Sequence, residues 1–274
     1  MSAPKVRAFV VGIGVLLALA ACSDDATPAA TPTPTPTATT AQLTGDLTVF
    51  AAASLQGAFD QILAEFADEN PGVTVKPATY DGSSTLATQL VGGASADVFA
   101  SADEKNMTTI TDAHLTEGTP VVFTTNTLEI VVAPGNPKNI RSLADLGALS
   151  DAGGKVVICA AEVPCGSAAH KVLDTAGVGV TPASNEQNVK AVLTKVQSGD
   201  ADAGLVYRTD VQAAGDTVEG VEFPESSAAV NSYPITVLVA PTRADGDDVA
   251  PAFVDLVLSA KGQAILTDKG FVAP

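Results

Sequence analysis

The chain has 274 residues, 46% hydrophobic and 16% charged, with 31 Asp and Glu against 14 Lys and Arg and a formal net charge of -17. That balance excludes nucleic acid and anionic lipid headgroups as electrostatic partners. An anionic ligand would have to be held by local dipoles and hydroxyls against the field of the whole molecule, and the acidity itself is that of a solvated surface.

Lys5 and Arg7 precede an apolar run over residues 8–21 that is too short to anchor stably across a bilayer, so residues 1–21 are expected to be a secretory signal peptide. Leu19-Ala20-Ala21-Cys22 ends it and resembles a bacterial lipobox, which would make Cys22 the lipid-bearing first residue on the extracytoplasmic face of the plasma membrane. Residues 22–43 are rich in Thr, Pro and Ala, cannot bury enough apolar surface to fold, and favour extended polyproline II. At about 3.1 Å per residue such a tether reaches roughly 60 Å.

Regular apolar periodicity begins after the tether and runs to the end, enough chain for two modest domains. Residues 47–50 read as a strand, and Leu55, Phe59, Ile62, Leu63 and Phe66 recur at helical spacing until Asn70-Pro71-Gly72 stops them. Strands are expected at 73–75 and 97–100 with a helix at 85–91 between them, a βαβ order that predicts an α/β sheet of parallel strands. Further strands are expected at 128–133, 155–158, 203–207 and 234–240, and helices at 167–175, 186–197, 249–260 and 261–269.

Two of these junctions carry chemistry. The apolar run from Val49 stops at Ser54 where an amphipathic helix begins, and Asp81-Gly82-Ser83-Ser84-Thr85-Leu86 repeats a small, polar turn feeding a helix. A serine at a helix N-cap places its hydroxyl beside the orphan N–H groups of the first turn, where the helix dipole favours negative charge. One such end taken alone is plain capping; two facing each other could hold a free oxyanion.

Thr48-Val49-Phe50-Ala51-Ala52-Ala53-Ser54-Leu55, Gly82-Ser83-Ser84-Thr85-Leu86, Ala96-Asp97-Val98-Phe99-Ala100-Ser101-Ala102-Asp103, Val163-Pro164-Cys165-Gly166 and Gly204-Leu205-Val206-Tyr207 resemble motifs of the solute-binding components of bacterial molybdate ABC transporters. The resemblance spans about residues 45–272. It implies an α/β, two-lobed type II periplasmic-binding-protein fold with the ligand cleft between the lobes. One lobe would hold 44–128 and 236–274, and the other 129–235. Carried over by motif, the ligand set for molybdate is the hydroxyls and nearby N–H groups of Ser54 and Ser83, the backbone N–H groups of Cys165 and Val189, and the Tyr207 phenol. Gly82 stands where a serine often occurs in the family, and Cys165 where alanine is frequent. The resemblance further implies a monomer that delivers molybdate or tungstate to an ABC transporter permease, without a cofactor. A donor-only site suits a tetrahedral dianion and disfavours protonated phosphate, whose O–H would need an acceptor. Sulfate would be distinguished by size.

Other chemistry is thinly represented. His114 and His170 lie in no metal-spaced cluster, and there is no P-loop, CxxC or Gly-x-Ser-x-Gly. Tyr80, Tyr207 and Tyr233 include no adjacent pair to ligate ferric iron. Asp97 and Asp103 read as cap or loop residues. The competing class is a lipid-anchored hydrolase with Ser54, or Cys165 with His170, as nucleophile and base. Cys159 and Cys165, an even pair outside the cytoplasm, are expected to be disulfide-bonded.

Overall fold

A computed structural model of the chain describes residues 42–239 and 248–274. The expected signal peptide, Cys22 and all but the last two residues of the tether lie outside the described residues.

The first lobe is built on a five-stranded sheet and the second on another. A short parallel pair, β1 (Gly45–Leu47) with β3 (Val73–Val75), precedes the first of these. The first sheet has the order β4-β2-β5-β12-β6. Its members are β2 (Val49–Ala52), β4 (Thr79–Asp81), β5 (Val98–Ala100), β6 (Thr116–Asn126) and β12 (Asn231–Leu238). The second has the order β11-β7-β10-β8-β9, formed by β7 (Leu128–Val132), β8 (Val156–Cys159), β9 (Ser184–Glu186), β10 (Ala203–Tyr207) and β11 (Glu219–Val221). Only Thr127 separates β6 from β7, where the chain leaves the first sheet; it returns between β11 and β12.

Alternating residues of β2 face opposite sides, as strand geometry requires. Val49 and Ala51 enter one apolar cluster and Phe50 another. On the first face lie α1 (Gln56–Glu69), α8 (Val249–Leu258) and α9 (Ala260–Asp268), and edge-to-face contacts of Phe253 with Phe59 at 6.0 Å and with Phe66 at 5.5 Å join α8 to α1. Burying one such phenylalanine is worth about 1.5–3 kcal/mol. On the other face are α2 (Ser83–Val91) and α3 (Glu104–Asp112), which contribute Leu86, Leu90, Met107 and Ile110. With both faces covered, the strand reads as a continuous apolar run. The second sheet is flanked by α4 (Leu143–Asp151), α5 (Pro164–Ala176), α6 (Val189–Gln197) and α7 (Arg208–Ala214), around one continuous core that includes Val131, Ile158, Val172, Val192 and Leu205.

The sheets are not wholly parallel. β4, β2 and β5 are parallel, as are β9, β8 and β10, but β12 runs antiparallel to β5 and β6, and β7 antiparallel to β10 and β11. The exceptions lie where the chain changes lobe: β7 and β12 each enter their sheet from the other lobe, without the helix of a local βαβ unit. The helix expected from 186 begins at Val189, because Ser184–Glu186 pairs with β8.

Candidate oxyanion site between the lobes

A small cleft of about 10 Å³, room for little more than a water molecule, lies where the two lobes meet. From the first lobe it is lined by Ala52 at the end of β2 with Ala53 and Ser54 after it, Asp81 at the end of β4 with Gly82 after it, and Ala102 after β5. From the second come Val163, Pro164 and Cys165 after β8, Asn188 and Val189 after β9, and Tyr207 at the end of β10. Every contributor therefore sits at the carboxyl end of a parallel strand, the place where α/β sheets gather helix N-termini and ligands.

The donors of the second lobe are those of helix starts. Pro164 and Cys165 open α5, and Pro at the first position forfeits only an N–H that had no intrahelical partner. Cys165 N–H follows, in the same orphan zone. Val189 is the first residue of α6, capped by Asn188, whose Oδ1 accepts from Ala191 N–H at 2.9 Å. A disulfide joins Cys159, the last residue of β8, to Cys165, with Cα atoms 5.7 Å apart. Gly166 follows, and a Cβ there would stand 1.8 Å from the Ala160 carbonyl oxygen, so the loop folds tightly onto the helix start.

Tyr207 is 1% exposed, and its hydroxyl has no hydrogen-bond partner among the described residues. Its ring stacks edge-on against Tyr233, and its N–H donates to Asp210 Oδ2 at 3.2 Å. Burial above all, then Tyr233 and the carboxylates of Asp103 and Asp210, hold the phenol well above its ordinary pKa, so it is a neutral donor. Asp210, fully buried, is paired with Lys190 at 3.0 Å. Lys190 neighbours Val189, so this ion pair ties the start of α6 to the start of α7.

Neither serine caps its helix. Ser54 lies inside a 3-10 turn, Ala53–Leu55, and its hydroxyl shares a 2.9 Å hydrogen bond with the Tyr233 hydroxyl. Tyr233 in turn accepts from Asn126 Nδ2 at 3.5 Å, and Asn126 donates to Thr209 Oγ1 at 2.9 Å, a polar chain running through the hinge. Ser83 is the first residue of α2, after Gly82, and its Oγ accepts from Ala102 N–H at 2.9 Å. Ser54, Cys165, Val189 and Tyr207 share the cavity lining; Ser83 is buried beside it. Asp81 and Asn188 also line the cavity, although no sequence motif marks them as site residues. The lining is therefore not made of donors alone, since Asp81 brings a carboxylate whose Oδ1 accepts from Gly82 N–H at 2.7 Å and Asn188 Nδ2 at 2.8 Å. Asp103 caps α3, accepting from Asn106 N–H at 2.8 Å, and Asp97 accepts from Thr48 N–H at 2.7 Å. No group of three or more His, Cys, Asp and Glu side chains converges as a metal site among the described residues.

Residues 47–272 match the family model described as bacterial extracellular solute-binding protein. The chain belongs to that family. Among relatives of this solute-binding protein, the molybdate-binding protein ModA of Mycobacterium tuberculosis is 49% identical over 228 residues, covering 83% of this chain and 85% of the relative. Solved structures share the fold, among them the following two. The periplasmic molybdate-binding protein of Azotobacter vinelandii has a TM-score of 0.66 at 23% identity, over 83% of this chain and 99% of that one. The sulfate-binding protein SubI of M. tuberculosis has a TM-score of 0.70 at 18% identity, over 83% and 86%. The family is one of binding proteins, not enzymes, which overturns the hydrolase alternative. The site agrees: Cys165 is locked in a disulfide and offers no thiolate, and Ser54 shares its hydrogen bond with a phenol, not a base.

Proposed function

We propose that this solute-binding protein captures molybdate, with tungstate as a near-equal ligand, in the cavity between the lobes and delivers it to an ABC transporter permease. The observation that carries the reading is the Tyr207 hydroxyl, buried without a partner in a small cavity that also faces the first turns of α5 and α6. A buried, unpaired donor costs about 1–3 kcal/mol, and a tetrahedral dianion supplies the missing acceptor. The ModA relative, named for molybdate, supports this choice of ion. Ser54, Cys165, Val189 and Tyr207 are the proposed direct donors, with Ser83 completing the set through its hydroxyl hydrogen. The lobes are proposed to divide as 44–128 with 236–274 against 129–235. We further assign the working form as a monomer, lipid-anchored through Cys22 on the extracytoplasmic face of the membrane.

Selectivity follows from the same chemistry. Asp81 Oδ1 already accepts from Gly82 N–H and Asn188 Nδ2, and the proposed ligand contacts are all donors, which suits a fully deprotonated dianion better than a protonated phosphate. Sulfate carries no proton and is discriminated by cavity size, the Mo–O bonds being longer. Titration calorimetry with molybdate, tungstate, sulfate and phosphate tests the assignment. Molybdate and tungstate are expected to bind with similar affinity, sulfate more weakly and phosphate least; sulfate or phosphate binding more tightly than molybdate would overturn it.

A further inference from the structure

At one place beside the cavity the lobes touch each other directly. Asn188 Nδ2, at the start of α6, donates to Asp81 Oδ1, at the end of β4, across 2.8 Å. Both side chains are fixed from behind. Asp81 Oδ1 also accepts from Gly82 N–H at 2.7 Å, and Asn188 Oδ1 accepts from Ala191 N–H at 2.9 Å, which turns the amide nitrogen toward Asp81. The neighbouring residues are in backbone contact. A Cβ on Gly82 would lie 2.1 Å from the Gln187 carbonyl oxygen and 3.3 Å from Val163 Cγ1, both on the opposite lobe. The φ of Gly82 is -59°, which any residue adopts. Glycine is thus required by the facing lobe and not by the turn itself.

Resting on the reading of this cavity as the ligand site, we propose that Asp81, Gly82, Gln187 and Asn188 form a latch that favours the closed form without ligand and slows ligand release. Contacts made only when the lobes are closed bias the open–closed equilibrium by their own free energy, and bound ligand adds to that bias. A hydrogen bond to a charged group corresponds to roughly a 10- to 150-fold effect on such an equilibrium. The seam also explains why a carboxylate is tolerated beside an anion, since its charge is met by two donors.

Three variants test the latch in the full chain. Gly82→Ala adds a methyl group that clashes only when the lobes close. Asp81→Ala removes the acceptor. Asn188→Ser keeps a side chain able to cap α6 but removes the donor to Asp81. Small-angle scattering without ligand is expected to give each variant a larger radius of gyration than wild type. Stopped-flow release of molybdate is expected to be about tenfold faster or more, and Asp81→Ala with Asn188→Ser no faster than the more affected single variant. Unchanged radius and release in all three, or fully additive effects in the double variant, would overturn the latch. If the wild type fails to bind molybdate, the functional reading falls, and the ligand-free radii decide the latch by themselves.

Discussion

Tyr207 and Glu129 are both buried polar side chains, and they differ in what that burial does. Tyr207→Phe removes the unpartnered hydroxyl while leaving the ring on Tyr233. The ligand-free variant is expected to be as stable as wild type or more so by thermal melting, while calorimetry shows molybdate affinity falling about 10- to 150-fold. A loss of stability with affinity intact would remove Tyr207 from the ligand set. Glu129, 8% exposed on β7, lies over Gly220, where a Cβ would stand 2.3 Å from its Oε1. Burial first, then the Glu222 charge, raises its carboxyl pKa, with Arg208 opposing. A folded pKa above the unfolded one means that the folded state keeps the proton longer, so this group costs stability as pH rises through the folded value. Glu129→Gln is therefore expected to raise the melting temperature at neutral pH, with the gain shrinking as pH falls toward the ordinary carboxylate range. A gain that grows on acidification would contradict the assignment.

At the scale of elements, the β8-to-α5 connection joins stability to binding. Closing so short a loop with the Cys159–Cys165 bond contributes about 2 kcal/mol on chain-entropy reasoning, a modest fraction for a domain of this size. Its larger consequence is local, because the bond clamps Cys165, which lines the cavity and is proposed as a backbone donor. Cys159→Ser, or reduction of the wild type, is expected to weaken molybdate binding by more than the fall in melting temperature accounts for. Equal affinity before and after reduction would leave the disulfide a staple alone.

Across the whole molecule, residues of two separately cored lobes line one cavity, so a ligand held by the proposed donors requires the lobes to approach. The hinge is narrow: Thr127 alone joins β6 to β7, and the Tyr233–Asn126–Thr209 chain of hydrogen bonds runs beside it. Added molybdate is expected to shrink the radius of gyration, closing whatever open fraction the latch leaves. Scattering curves identical with and without molybdate in the wild type and in the latch variants alike would count against hinge closure.

Local rules made much of this legible. Phe59, Ile62, Leu63 and Phe66 at helical spacing, and the apolar runs at Val49 and Ala203, declare their elements because one face or both must be buried. The longest strand, β6, carries no such signal: Gly118 and Pro120 interrupt it and fall in the register shift of an edge strand, where a missing donor and a positive φ are tolerated. Helix α3 was hidden for a different reason, its polar sequence burying only Asn106, Met107 and Ile110 behind an Asp103 cap. At the cavity, sequence by itself determined the residue types that can meet an oxyanion: small turns, serines and a tyrosine ahead of helices. Only the tertiary structure decided that the Ser54 and Ser83 hydroxyls bond to Tyr233 and Ala102 instead of capping helices, that Tyr207 is left unpaired, and that Asp81 meets Asn188. Those outcomes depend on contacts between residues up to 179 positions apart, set by how two lobes pack and not by any local preference of the chain.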